Sequence, residues 1–145
     1  MTTIAADFRS GGVIVAESKM TLAASDVWLS VKKIHRHKGD LIGVSGDVEA
    51  EMKWLDWLTT GRKGKPPSAA GIEALILRRE GLFYLLGSAT EHKIERGWHA
   101  IGSGGGIAIG AMAHGATAEE AVLLATQHDA QSGGELQIFN LKDPS

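Results

Sequence analysis

Threonine at position 2 is the residue of this chain best placed to act as a nucleophile. A side chain this small permits aminopeptidase removal of Met1, and that cleavage leaves a hydroxyl and a free α-amine on one residue. The amine has an unperturbed pKa of about 7.7–8.0, and threonine with its own terminal amine is a working nucleophile–base pair. Met-Thr-Thr is also simply a common way for a chain to begin, so residues elsewhere must decide between the two. Other chemistries fail on spacing. From Gly102 the sixth residue of a G-x-G-x-x-G pattern is Ile107, and from Gly104 it is Ile109. A Walker loop around Gly64-Lys65 would need glycine where Thr59 stands and Ser or Thr where Pro66 stands. His35 and His37 share one face of an expected strand and His128 neighbours Asp129. With no H-E-x-x-H and no helical His pair four residues apart, half-exposed strand histidines fit better than zinc ligands, and neither metal nor cofactor is expected.

The elements that must position Thr2 follow from periodicity and turn chemistry. Residues 3–8 and 13–16 are short apolar runs separated by Arg9-Ser10-Gly11-Gly12, a first hairpin. The run Val13-Ile14-Val15-Ala16 does not alternate, so its sheet is expected to be covered on both faces. Residues 31–37 and 41–45 flank Lys38-Gly39-Asp40 as a second hairpin, and 48–58 carry apolar residues at helical spacing. The stretch 59–68 holds Gly, Pro and basic residues and is a surface loop. Residues 73–78 and 82–86 around Arg79-Glu80-Gly81 form a third hairpin, and 98–101 a further strand. After the glycines, 107–114 reads as helix, and Thr117 with Glu120 forms a capping box that starts a helix over 118 to about 131. A last strand covers 135–141. Strands in pairs rather than alternating with helices predict an α+β fold, two sheets face to face with helices outside.

Composition is compatible with one domain over 1–145. A chain of 145 residues and 15.3 kDa is modal for a domain and buries about 68–70% of its unfolded surface. At 43% hydrophobic and 22% charged it is not disordered, and a formal charge of −2 argues against nucleic acid as a partner. The absence of cysteine fits a reducing compartment. Residues 104–113, the longest apolar stretch, include four glycines and fall short of the roughly 18 residues of a membrane span. Asp7 and Arg9 interrupt the place of a secretory apolar run, so a cytoplasmic protein with no membrane partner is expected.

Five segments then appear in a telling order: Thr2-Thr3-Ile4; residues 15–21 with Glu17; Val31-Lys32-Lys33-Ile34; Ile101-Gly102-Ser103-Gly104-Gly105; and residues 129–134 with Asp129 and Ser132. In order and approximate spacing the chain resembles proteasome β-type subunits and the bacterial HslV-like peptidase, which are N-terminal-nucleophile (Ntn) hydrolases. The resemblance spans residues 2 to about 141. It implies a four-layer αββα sandwich and a threonine-type endopeptidase, with Thr2 as nucleophile and Lys33 beside it. Glu17 falls where the family orients that lysine with an aspartate; the stretch from Thr2 to Glu17 is one residue shorter, for which the longer side chain compensates. Asp129, Ser132 and Ser103 match the residues that hold the terminal amine, and an acid near a helix C-terminus is electrostatically misplaced unless it has such a task. Gly46 matches the donor to the oxyanion. The next family residue is usually a second glycine, whereas here Asp47 would oppose the oxyanion if it pointed inward. Met20, Val31, His35, Ser45 and Glu49 match positions lining the pocket for the residue before the cleaved bond, a mixed set that names no preference.

The resemblance further implies a peptide or unfolded-protein substrate, a homo-oligomer and an ATP-dependent unfoldase as partner. Between Gly46 and Glu73 there is room for one helix where the family carries two, which predicts a smaller or different ring, or none. Two rival functions share the fold: an Ntn amidase of small amides, and a catalytically silent assembly module, the latter suggested by Asp47, Glu17 and the missing helix.

Overall fold

The computed structural model describes residues 2–22 and 26–144, so the expected loss of Met1 concerns a residue outside the described ones. Strand β1 (Thr3–Asp7) and β2 (Val13–Ala16) form the first hairpin, followed by β3 (Lys19–Thr21) and β4 (Trp28–Ser30). Next come β5 (Ile34–His37), β6 (Asp40–Gly46) and α1 (Val48–Thr59), then β7 (Ile72–Arg78), β8 (Gly81–Leu86) and β9 (His92–Lys93). The chain continues through β10 (Trp98–Gly102), α2 (Gly105–Ala113), α3 (Ala118–His128) and β11 (Gln137–Asn140). The α+β class expected from the pairing of strands is what forms. No helix among the described residues is long and apolar enough to cross a membrane.

Three antiparallel sheets result: a four-stranded one in the order β10-β1-β2-β11, a five-stranded one in the order β5-β6-β7-β8-β9, and the small β3-β4 ribbon. The continuous apolar strands are explained by burial on both faces. In β1 and β2, Ile4, Ala6, Ile14 and Ala16 join Ile34, Leu41, Leu75 and Leu77 of the five-stranded sheet in one core cluster. Their neighbours Ala5 and Val15 point the other way, into a cluster with Ala108 and Met112 of α2 and Ala121 and Val122 of α3. The five-stranded sheet repeats the pattern, with Ile42, Val44, Ile76 and Leu85 turned toward Trp54 and Leu58 of α1.

Several expected boundaries move. The second hairpin's first strand starts at Ile34 rather than Val31, because the backbone of residues 31–33 is bonded elsewhere: Val31 N donates to Ser18 O (2.8 Å) and Lys33 N to Gln137 Oε1 (2.9 Å). Gln137 Nε2 donates in turn to Val31 O at 2.6 Å, so one side chain of β11 substitutes for a ladder partner. Helix α2 begins two residues earlier than expected, while α3 stops at His128 because Asp129 turns extended (φ −102°, ψ 114°). The capping box of Thr117 and Glu120 is formed as expected. The β3-β4 ribbon and β9 were invisible to periodicity, since two or three residues carry no period.

Candidate active site

Thr2 sits buried at the start of β1, next to the turn where β2 ends. Its Oγ1 accepts a hydrogen bond from Lys33 Nζ at 2.9 Å. The lysine reaches in from the segment that Gln137 holds out of the sheet, and Nζ also donates to Glu17 Oε1 and to Lys19 O, each at 2.5 Å. Burial lowers the proton affinity of Lys33 from its ordinary value, while the hydrogen bond and charge of Glu17 oppose that fall. Glu17 is fully buried, and four donors meet its carboxylate: Lys33 Nζ, and the backbone N–H groups of Thr3, Lys19 and Gly133, the last three at 3.0 Å. A buried carboxylate needs such a set to stay charged.

The second half of the site is a hydroxyl cluster. Asp129 Oδ2 accepts from Ser103 Oγ and from Ser132 Oγ, both at 2.6 Å, and Ser103 Oγ lies 3.3 Å from Thr2 O as donor. Burial pushes the Asp129 carboxyl up, but the two serine bonds and the Gln131 N–H outweigh it and leave it below its ordinary value. The extended turn at Asp129 that ends α3 is what brings its carboxylate to both serines. Two glycines permit the approach. Gly102 has φ +94° and a Cβ there would overlap Thr2 O; a Cβ on Gly104 would overlap Thr3 Oγ1. Thr3, which sequence reasoning passed over, shares a 2.7 Å hydrogen bond between its Oγ1 and Ser132 Oγ.

A cleft of about 250 Å³ opens beside Thr2. Gly46 lines it, as do Met20, Val31 and His35 among the expected pocket residues. Ser45 and Glu49 do not, and the reason is period. Strand alternation gives the cleft Val44 and Gly46 and turns Ser45 to the other side, into a shallow groove with Gly102 and Ser103. On α1 the cleft face is Val48, Glu51, Met52 and Leu55, whereas Glu49 is exposed and paired with Lys53 at 2.9 Å. Glu51 was therefore missed; a single acid on the helix's apolar i, i+3, i+4, i+7 stripe is the signal that could have found it. Asp47 does not point at Gly46's site: its Oδ1 accepts from Ala50 N at 2.8 Å and caps α1. Among the described residues, no group of three or more His, Cys, Asp or Glu side chains could hold a metal ion.

No protein-family model and no curated protein matches the sequence. Solved structures do. Thiobacillus denitrificans BPH is 17% identical, the match covering 99% of this chain and 100% of that one at a TM-score of 0.77. The same protein in complex with Epoxomicin is 18% identical over 98% of this chain and 100% of that one, at 0.76. Eukaryotic HslV from Trypanosoma brucei is 20% identical, covering 95% of this chain and 98% of that one, at 0.74. The chain thus has the proteasome-β/HslV-like fold of the Ntn hydrolases, and BPH matches it over its full length with the single helix between Gly46 and Glu73 included in the span.

Proposed function

We propose that this chain is a threonine-type peptidase, one domain over 1–145 built as a four-layer αββα sandwich, whose nucleophile Thr2 becomes active when Met1 is removed. The layers are supported by the three core clusters, one between the sheets and one beneath each set of helices. The observation that carries the chemistry is the 2.9 Å bond from Lys33 Nζ to Thr2 Oγ1, held by a Glu17 with four donors.

In the reaction Thr2 Oγ1 bonds to the carbonyl carbon of the scissile peptide while its proton passes to the α-amine of the same residue. Lys33, as a cation, stabilises the alkoxide developing on Oγ1 and lowers the pKa of the adjacent amine toward working pH. The tetrahedral oxyanion is received by Gly46 N–H, a contact worth about 2.7–4 kcal/mol in the transition state of a protease. Collapse breaks the C–N bond, and the amine's proton leaves with the new amino terminus. Water, deprotonated by the same amine, then attacks the Thr2 ester, releases the carboxylic acid and restores the hydroxyl. Asp129, Ser132 and Ser103 orient the amine. Asp47, as helix cap, leaves the oxyanion unopposed, which removes a reason to regard the chain as silent.

The fold carries with it the expectation of an unfolded-polypeptide substrate, a homo-oligomer and an ATP-dependent unfoldase as partner. Intact mass after incubation with a β-lactone, or with epoxomicin, tests the nucleophile. Loss of Met1 with one adduct is expected, and Thr2→Ala should take up none and hydrolyse peptides at background rate while keeping the native circular dichroism spectrum. A mass that retains Met1 and gains nothing would overturn the proposal.

A further inference from the structure

Two polar groups lining the cleft beside Thr2 have no hydrogen-bond partner among the described residues. Glu51 stands on the cleft side of α1 between apolar neighbours, and its carboxyl makes no such bond. His35 Nε2 is buried and unpartnered. The rest of the wall is largely aliphatic: Met20, Val31, Val44, Val48, Met52 and Leu55. At about 250 Å³ the cleft is smaller than the roughly 300–1,000 Å³ of small-molecule sites and suits a single side chain.

Cations nearby are already engaged. Lys33 Nζ is bound to Glu17, Thr2 and Lys19 O, and Lys19 Nζ donates to Ala130 O at 3.1 Å. Lys32 is exposed. On the same helix Glu49 is turned outward to Lys53. Burial pushes the Glu51 carboxyl up to about 7, with Lys33 pulling the other way. Burial first, and Lys32 second, lower the proton affinity of His35, so its ring is neutral near pH 7 and one ring nitrogen can accept.

We propose that the cleft takes a lysine or arginine side chain from the substrate residue preceding the cleaved bond, its aliphatic stem along Val31, Val44 and Met52 and its cationic head against Glu51 and His35. This deepens the peptidase reading above and rests on it. A long cationic side chain is amphipathic in the same sense as the cleft, apolar along its stem and charged at its tip. It supplies the counter-ion that a desolvated carboxylate lacks, whereas a leucine fills the apolar wall and leaves Glu51 unpaired. The preference therefore depends on pH. Above about 7 Glu51 is a carboxylate and favours the cation; below it the carboxyl is neutral and the advantage over leucine shrinks. A bound cation itself favours the carboxylate, so the cationic substrates lose their lead at a somewhat lower pH than the free group's titration.

The test uses fluorogenic peptide amides differing only in the residue before the cleaved bond, Lys, Arg, Leu or Glu, and protein whose Thr2 labels with the β-lactone. Near pH 8, kcat/KM for Lys and Arg is expected to exceed Leu by about tenfold, with Glu last; near pH 6 the lead falls to about threefold or less. Glu51→Gln brings the Lys-to-Leu ratio close to one at both pH values, and Glu51→Lys turns the order toward Glu. Leu leading near pH 8 in the unaltered protein, or a ratio that survives Glu51→Gln, overturns the proposal. Failure of the peptidase reading looks different: no β-lactone adduct forms and no peptide of the set is cleaved, which overturns both.

Discussion

Glu17 stands in place of a shorter acid, and its four donors explain why the extra methylene is needed. The carboxylate spans from Lys33 Nζ to Gly133 N while also meeting the N–H groups of Thr3 and Lys19. Glu17→Asp withdraws it by about 1.5 Å, one C–C bond, and cannot keep all of these partners. A fall of about tenfold or more in kcat/KM is expected, beyond any change in KM. Glu17→Gln leaves Lys33 buried without its counter-charge, at a cost of about 3–5 kcal/mol in urea denaturation. Its pH effect has a definite sign. Glu17 raises the proton affinity of Lys33 against burial, so removing the charge lowers it further, and the basic limb of the rate profile should move to lower pH. A limb that stays in place would take Lys33 out of the titrating machinery. At this scale the sequence named Thr2, Lys33 and Glu17 as a set but could not reveal Thr3 or Lys19 O as members, since backbone acceptors leave no trace in residue type.

Helix α1 shows what an element adds to the residues on it. Asp47 looks like an intruder beside Gly46 in the sequence, yet as N-cap it satisfies Ala50 N and complements the positive helix end. Asp47→Ala should lower stability by about 1 kcal/mol in a denaturant titration and loosen the first turn, which carries Val48 and Glu51 into the cleft. Unchanged stability would mean that the cap contributes nothing. The helix was legible from its apolar spacing, and its register was not: Glu49 and Glu51 have the same side chain two residues apart, and only docking through Trp54 and Leu58 decides which faces the cleft. The same holds for β6, where Ser45 and Val44 exchange faces with a one-residue slip. The segment before β5 is a further case, because its departure from the sheet depends on Gln137, more than a hundred residues away.

Exposed apolar side chains occur on two separate elements, Trp28 and Leu29 on β4 and Leu123 and Leu124 on α3. Unpaired apolar surface of this kind favours association. Sedimentation should give a mass that is a multiple of 15.3 kDa, and replacing both Leu123 and Leu124 by Glu should return the 15.3 kDa species. A wild-type protein sedimenting at 15.3 kDa at micromolar concentration would run against the oligomer. The full-length match to BPH shows that the fold is complete with one helix between Gly46 and Glu73. The expectation of a different ring therefore loses its argument from missing pieces.

The amino-acid sequence by itself determined the order of hairpins and helices, the burial of both faces of its sheets, and the candidate residues Thr2, Glu17, Lys33, Ser103, Asp129 and Ser132. These are statements about period, turn chemistry and residue type, which are local or ordered along the chain. Tertiary structure alone decided that Asp47 caps a helix, that Val44 and Glu51 rather than Ser45 and Glu49 face the cleft, and that Gln137 frees the Lys33 segment. Each of those depends on how an element is rotated or paired against another, and a rotation is set by side chains that packing brings together from distant parts of the chain.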